Sequence, residues 1–341
     1  MPKRQKSKRP VTAACLFAGM GGFATGLREA GIATLWANEM DGAACKTFIH
    51  NHPGTNMIEE DIRHLSVKKN SLPPVDILTA GFPCQSFSIA GHKRGFDDER
   101  GRLFQEIIRI IKEFGDAKPK ILLMENVPHL QNGNGGQWLE TIVSEVQFAG
   151  YWFDSKSSVS VLNTAHISPL PQHRERLFMA ALCTDTFPAN RFQFPRPNGA
   201  SRNISDFIDK SHKAQKSDYL PPDNRYHKYI SQKVEEGKTD SIYNLRRYYV
   251  RENRGKCPTL TANMGGGGHN VPFVKDRWGI RRLTVGECAT LQGFKEYEFP
   301  DDVSTLDKYR QIGNAVSVPV AAKLGDECVR VITALKQEKA T

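Results

Sequence analysis

Several features are absent from this sequence, and each absence argues against a class of protein. The seven cysteines are odd in number and scattered, with no Cys-x-x-Cys pair, which argues against a disulfide framework and a zinc site. No uninterrupted apolar run is long enough to cross a bilayer, and no apolar signal core follows the basic N-terminus. We therefore expect a cytoplasmic protein that is not exported and has no membrane partner.

Positive charge is present in excess, and it is concentrated in two places. The net charge is +10, from 47 Lys and Arg against 37 Asp and Glu. Residues 1–10 form a polar, basic stretch that we expect to be a disordered tail. Residues 188–282 carry 19 basic against 9 acidic side chains. A basic block indicates a polyanionic partner, most often nucleic acid, although a solvated lysine-rich surface would have the same composition.

The pattern of secondary structure divides the chain into two parts. Residues 11–187 alternate apolar strands with amphipathic helices, and residues 306–341 return to helical periodicity, which together predict an α/β domain. Residues 188–305 are rich in proline and polar runs, and predict a second, smaller domain. The predicted strands of the first domain lie at 12–17, 34–39, 57–62, 75–80, 120–128, 159–161 and 177–182.

A glycine turn, FAGMGG at 17–22, follows the first predicted strand and precedes a short helix. Glycine lets the backbone approach a ligand closely, and the GxGxxA pattern from Gly19 keeps a dinucleotide-binding dehydrogenase open. The second and third predicted strands end in Glu39 and Asp61. Two carboxylates at one rim suit ribose hydroxyls and an adenine amine better than a pyrophosphate, so the pattern favours S-adenosylmethionine.

A possible nucleophile follows the fourth predicted strand, in the loop GFPCQSFS at 81–88. Cys84 would lie at the carboxyl end of that strand, where open α/β sheets bind their ligands. A thiol at such a position is suited to covalent catalysis, although a single free cysteine is more often a core residue.

Three charged residues are predicted to face the same crevice. Glu125 ends an apolar strand, where a buried carboxylate is costly unless it has a partner or a function. Arg174 and Arg176 alternate as they enter the last predicted strand, so both would point to one side. The alternative is a surface charge cluster.

The basic block also contains aromatic residues. Tyrosines and arginines are interleaved and are followed by a glycine run at 265–268, a mixture suited to contacting DNA, with ordinary loop chemistry as the alternative. These residues are Tyr243, Tyr248 and Tyr249, with Arg246, Arg247, Arg251 and Arg254.

Six segments, in this order between residues 12 and 325, resemble the C5-cytosine DNA methyltransferase family of restriction-modification type. They are FAGMGG (17–22), GFPCQSFS (81–88), ENV (125–127), QHRER (172–176), PTLT (258–261) and GNAV (313–316). The resemblance implies a Rossmann-like S-adenosylmethionine-dependent methyltransferase domain, residues 11–187 plus 306–341, with a smaller DNA-recognition domain at 188–305.

The resemblance also implies roles for single residues. Cys84 would add to C6 of a flipped-out cytosine, Glu125 would bind and protonate N3, and Arg176, with Arg174, would orient the base. No metal is implied. Implied cofactor contacts are Phe17, Gly19, Gly21, Gly22, Glu39, Met40, Asp61, Ile62, Leu103, Asn314 and Val316. Implied DNA contacts are Gln85, Ser88, Arg246, Arg247, Tyr248, Arg251 and Thr259. Met40 replaces the tryptophan or other bulky residue of many relatives, which leaves its stacking role open.

Other functions explain less of the sequence. An RNA cytosine methyltransferase on the same scaffold would need less sequence between Arg176 and Pro258. A catalytically silent DNA-binding relative would not need Cys84 and Glu125, and a dehydrogenase does not account for Cys84 or the basic block. We expect double-stranded DNA as the partner of a monomer, with any cognate restriction endonuclease acting on the same site without a direct complex.

Overall fold

The computed structural model describes residues 10–83, 102–199, 201–234, 241–245, 249–266 and 270–338. Its strands are β1 (Thr12–Leu16), β2 (Ala33–Glu39), β3 (Asn56–Glu59), β4 (Ile77–Gly81), β5 (Ile121–Asn126), β6 (Tyr151–Trp152), β7 (Val159–Asn163), β8 (Gln172–His173), β9 (Glu175–Cys183), β10 (Ser241–Leu245), β11 (Val250–Arg254), β12 (Cys257–Pro258), β13 (Pro272–Asp276) and β14 (Gly279–Arg282). Its helices are α1 (Gly22–Glu29), α2 (Gly42–Asn51), α3 (Arg102–Glu113), α4 (His129–Asn132), α5 (Gln137–Phe148), α6 (Thr164–Ile167), α7 (Arg225–Ser231), α8 (Val285–Gln292), α9 (Thr305–Asn314) and α10 (Val318–Glu338).

An eight-stranded sheet organises the first domain. Its order is β3-β2-β1-β4-β5-β9-β6, and β7 also pairs with β9. Strands β1 to β5 are parallel, and β9 is antiparallel to β5. The chain moves outward from β1 to β3 and then returns to β4 on the other side of β1. The carboxyl ends of β1 and β4 therefore form a topological switch point, the usual ligand site of such sheets. The predicted Rossmann-like α/β fold is confirmed.

Helices cover both faces of this sheet. On one face, α3 and α5 contribute Phe104 and Ile142 to an apolar cluster. On the other face, α1 and α10 contribute Leu27 and Leu324. Residues of each strand alternate between the two clusters, so every residue of β1 is buried. Burial on both faces explains why the parallel strands are continuous apolar runs in the sequence.

A smaller antiparallel sheet, in the order β11-β10-β13-β14, lies within the predicted recognition domain. Helix α7 packs on one face, where Ile230 and Tyr243 belong to the same cluster. The other face shares a cluster with α8 and α9 that includes Ile242, Leu291 and Ile312. The boundaries of the recognition domain, at residues 188 and 305, stay predictions.

Two predictions about local structure are wrong. The third strand ends at Glu59 instead of residue 62, because Asp61 accepts a hydrogen bond from the Arg63 amide and the chain turns there. Tyr243, which we had grouped with rings available to DNA, is completely buried in the second sheet. The sequence pattern did not reveal that β10 is the central strand covered by α7.

Among the helices of the described ranges, none combines the length and the apolar character that crossing a membrane requires.

A buried ion cluster joins the second sheet to α8. The side chain of Arg281, on β14, is 1% exposed, and its Nε donates a hydrogen bond of 2.9 Å to Asp276. Its two terminal nitrogens donate to the carboxylate of Glu287 at 2.8 Å each. Glu287 also forms a capping box with Thr284 at the start of α8. Loss of this one guanidinium would leave two buried carboxylates uncompensated.

We predict that Arg281→Met lowers the free energy of unfolding by about 3–5 kcal/mol, because it strands both carboxylates. The control is Arg330→Met, which removes a half-exposed arginine paired with Glu327 within α10, and its expected cost is below about 1 kcal/mol. Urea unfolding measures both variants. Similar losses in the two variants would contradict the prediction.

Candidate active site

The carboxyl ends of β4 and β5 meet the C-terminal part of the chain at the switch point. Gly81 pairs with Glu125 across the two strands. A Cβ built on Gly81 would lie 3.7 Å from Oε2 of Glu125 and 4.0 Å from Cγ2 of Val316. The crevice therefore has an acid on one side and an apolar side chain on the other, directly where the predicted nucleophile loop begins.

Glu125 forms an ion pair with Arg176. The Nε of Arg176 lies 3.1 Å from Oε1 of Glu125, and the two side chains are 18% and 11% exposed. The pairing of β5 with β9 brings them together, because Glu125 is opposite Phe178, two residues from Arg176. Burial raises the pKa of Glu125, and the nearby Arg176 and Arg174 offset only part of that effect. Such a carboxyl keeps a proton to higher pH than an ordinary glutamate and can donate it.

Arg174 has a different set of partners from Arg176. It is 1% exposed, and its guanidinium binds three main-chain carbonyls. One terminal nitrogen donates to the Leu260 oxygen at 2.8 Å, and the other donates to the Gly313 and Ala315 oxygens at 3.0 Å each. Burial, and secondarily Arg176, lowers the pKa of Arg174 to about 9. The predicted pair of arginines is therefore split between the acid and the backbone.

The glycine turn is held by Glu39. Its Oε2 accepts a hydrogen bond from the Gly19 amide at 2.9 Å, and its Oε1 accepts from the amides of Met40 and Asp41 at 2.8 and 2.9 Å. A carboxylate has about four acceptor positions, so one is left for a ligand hydroxyl. Gly19 has a φ of +55°, and a Cβ built there would meet no atom within 4 Å. The turn therefore borders open space and is suited to receive a ligand.

The last motif packs directly against this turn. A Cβ built on Gly22 would lie only 2.5 Å from the carbonyl oxygen of Val316. The side chain of Val316 is buried, whereas Asn314 is exposed. Glycine at position 22 is thus required by the close approach of two main chains that are far apart in the sequence.

The other predicted cofactor residues lie in several environments. Met40 is 66% exposed, and Phe17 and Leu103 are partly buried against the core cluster that contains Ile62. Asp61 pairs with Arg63, and the hydrogen bond from that side chain lowers the pKa of Asp61. These residues are described by their own contacts, and their roles toward a cofactor stay predictions.

Only two of the predicted DNA contacts lie in the described part of the chain. Arg251 is exposed on β11, the edge strand of the second sheet. Thr259 is half-buried, and its hydroxyl donates to the His173 carbonyl at 2.8 Å. Six predicted site residues fall outside the described ranges: Cys84, Gln85, Ser88, Arg246, Arg247 and Tyr248.

The six cysteines of the described ranges are all buried free thiols. Burial raises the pKa of Cys15 to about 11 and that of Cys45 to about 12. Buried thiols with such pKa values are inert, because the thiolate is the nucleophile.

Sequence analysis missed the residues that support the turn from behind. His52 is buried and shares a hydrogen bond of 3.2 Å with the hydroxyl of Thr25. Burial, and secondarily Arg28, lowers the pKa of His52 to about 4, so its ring is neutral at pH 7. The hydroxyl of Tyr297 donates to the Met20 carbonyl. No local pattern marks either residue, since His52 follows a helix and Tyr297 lies in a loop.

Comparison with known proteins gives consistent matches along the chain. Residues 11–330 match the model of the family described as C-5 cytosine-specific DNA methylase. The chain is 38% identical over 317 residues to the type II methyltransferase M.Bsp6I of Bacillus sp. (strain RFL6), covering 92% of this chain and 96% of that protein. It is 32% identical over 324 residues to the type II methyltransferase M.HhaI of Haemophilus parahaemolyticus, covering 89% and 90%. The crystal structure of the S. pombe Dnmt2 methyltransferase has a TM-score of 0.71 at 18% identity, covering 94% and 99%, and supports the fold.

We predict that Gly22→Ala lowers the free energy of unfolding by about 1–3 kcal/mol, because the new methyl group collides with a main-chain carbonyl. The matched control is Gly54→Ala, where a Cβ would have no atom within 4 Å and φ is not left-handed. We expect the control to be neutral or up to about 1 kcal/mol more stable. Urea midpoints measured side by side would contradict the prediction if the two variants behaved alike.

Proposed function

This chain belongs to the C-5 cytosine-specific DNA methylase family, and we propose that Glu125 and Arg176 bind the target cytosine in a site completed by Cys84. The protein is a DNA (cytosine-5-)-methyltransferase of restriction-modification type, and its methyl donor is S-adenosylmethionine. We further propose that it methylates one cytosine within a short specific sequence of duplex DNA.

One observation carries the proposed site. A buried acid with a raised pKa is paired to an arginine at the carboxyl end of β5, beside the strand end that continues to Cys84. Cytosine presents a ring nitrogen, N3, that must accept a proton as its ring is attacked. A carboxyl that is still protonated near neutral pH supplies that proton, and the guanidinium favours an oriented base.

The chemistry follows from the weak nucleophilicity of C5. The Cys84 thiolate forms a bond from Sγ to C6, while N3 takes the proton of Glu125, so that negative charge does not accumulate in the ring. C5 then has enamine character. Bound S-adenosylmethionine supplies the methyl group. Loss of the C5 proton and breakage of the Sγ–C6 bond restore the double bond and free Cys84. Because C6 is inaccessible inside a duplex, the cytosine has to be flipped out of the stack.

The residues around the glycine turn fit the methyl donor. The space beside Gly19 admits a ligand, and the remaining acceptor position of Glu39 suits a ribose hydroxyl. We propose that Phe17, Gly21, Met40, Asp61, Ile62 and Leu103 surround the adenosyl part, with Gly22, Asn314 and Val316 at the methionine end.

We propose that residues 188–305 read the DNA sequence. The excess of basic residues in this segment favours phosphate contacts, which position a protein on a duplex while base contacts specify the sequence. Proposed contacts are Arg246, Arg247, Tyr248, Arg251 and Thr259, with Gln85 and Ser88 on the nucleophile loop.

We predict a monomer, because methylation of one flipped base requires no two-fold symmetry. Analytical ultracentrifugation should give one sedimentation coefficient across a hundredfold range of protein concentration. A coefficient that rises with concentration would contradict this. A cognate endonuclease would share the recognition sequence without a direct complex.

We predict that the protein places 5-methylcytosine at one short sequence of an unmethylated plasmid, mapped at base resolution. Cys84→Ser should abolish the product, and Glu125→Gln should slow single-turnover transfer by about 10²–10⁴-fold, because N3 loses its proton donor. Glu140→Gln, an exposed acid on α5, is the matched control and should keep the wild-type rate. Cofactor binding without plasmid methylation would reject the proposed substrate and make RNA the next one to test.

A further inference from the structure

A buried polar network joins three parts of the chain that are distant in sequence. Its side chains are Gln172, Arg174 and Gln292, which are 0%, 1% and 0% exposed. The first two precede β9, which carries Arg176, and the third ends α8. Buried polar side chains of this kind have to find partners, and here the partners are mainly main-chain atoms.

The network binds the segment that closes the recognition domain. Gln172 Oε1 accepts a hydrogen bond from the Leu260 amide at 3.2 Å, and Arg174 donates to the Leu260 carbonyl at 2.8 Å. Both main-chain groups of one residue are therefore held by the QHRER motif.

The same network binds the segment on the cofactor side. Arg174 donates to the carbonyls of Gly313 and Ala315, and Gln292 donates to those of Ile312 and Ala315 at 2.9 and 3.0 Å. These carbonyls lie at the end of α9, where a helix leaves its last acceptors without internal partners.

Two further contacts make the network continuous and rigid. Gln172 Nε2 donates to Gln292 Oε1 at 2.8 Å and to the Leu291 carbonyl at 2.9 Å. A Cβ built on Gly313 would lie 2.3 Å from the Ala262 nitrogen, so the two segments have no room to slide past each other.

We propose that Arg174 is a positioning residue which, with Gln172 and Gln292, couples binding of the methyl donor to binding of DNA. The inference rests on the proposed function of segments 313–316 and 258–261. Its guanidinium fixes the distance between these segments and does not bind the cytosine. A ligand that orders one segment thereby orders the other, and such coupling is reciprocal between the two ligands.

The test compares the affinity for S-adenosylhomocysteine with and without a saturating duplex that contains the methylated sequence, by titration calorimetry. We expect the duplex to tighten binding to the wild type at least fivefold. In Arg174→Lys and in Gln292→Met that factor should fall toward one, and the double variant should add little to either single variant. Gln292→Met decides the matter, because Gln292 binds only network partners.

The matched control is Gln311→Met. Gln311 is also a buried glutamine at the end of α9, but its amide has no hydrogen-bond partner within the described residues, so the coupling should be unchanged. Circular dichroism checks folding, and Gln292→Asn replaces Gln292→Met if the latter unfolds.

Each outcome separates this inference from the proposed function. If wild type methylates the plasmid but both network variants keep the full coupling factor, the inference is overturned. If only Arg174→Lys is affected, and only in the rate of single-turnover transfer, Arg174 contacts the base and the inference is also overturned. An unmethylated plasmid with wild-type protein rejects the proposed function itself.

Discussion

A buried carboxyl beside one guanidinium is the interaction on which the site depends. Glu125 has to be desolvated to retain its proton, yet a buried acid without any partner would destabilise the fold. Arg176 provides the partner at 3.1 Å without cancelling the effect of burial on the pKa. The balance is set by strand pairing, since β5 and β9 run antiparallel and place the two residues at the same edge of the sheet.

Main-chain contacts hold the remainder of the crevice. The carboxylate of Glu39 is used on three backbone amides, and the guanidinium of Arg174 is used on three carbonyls. Gly22 is in contact with the backbone of Val316. Contacts of this kind fix the path of the chain more firmly than contacts between long side chains, because backbone groups have little freedom to move. A preorganised site follows from that rigidity.

The second sheet combines a rigid interior with an exposed edge. The Arg281 cluster and the apolar residues shared with α8 and α9 attach the sheet to the C-terminal helices. Its edge strand β11 exposes Arg251 and Arg254. Substitutions on such an edge change few core contacts, so the residues proposed to contact DNA can vary while the attachment to the catalytic domain is retained.

The sequence by itself determined the strand and helix order, the glycine turn, the acid at the end of β5 and the family of the chain, because these depend on local periodicity and short motifs. Tertiary structure alone decided that Arg174 binds backbone, that Tyr243 is buried, and that His52 supports the turn. Arg174 meets acceptors 86 and 139 residues away along the chain. Burial and hydrogen-bond partners at such separations are properties of packing, and no local pattern of residues contains them.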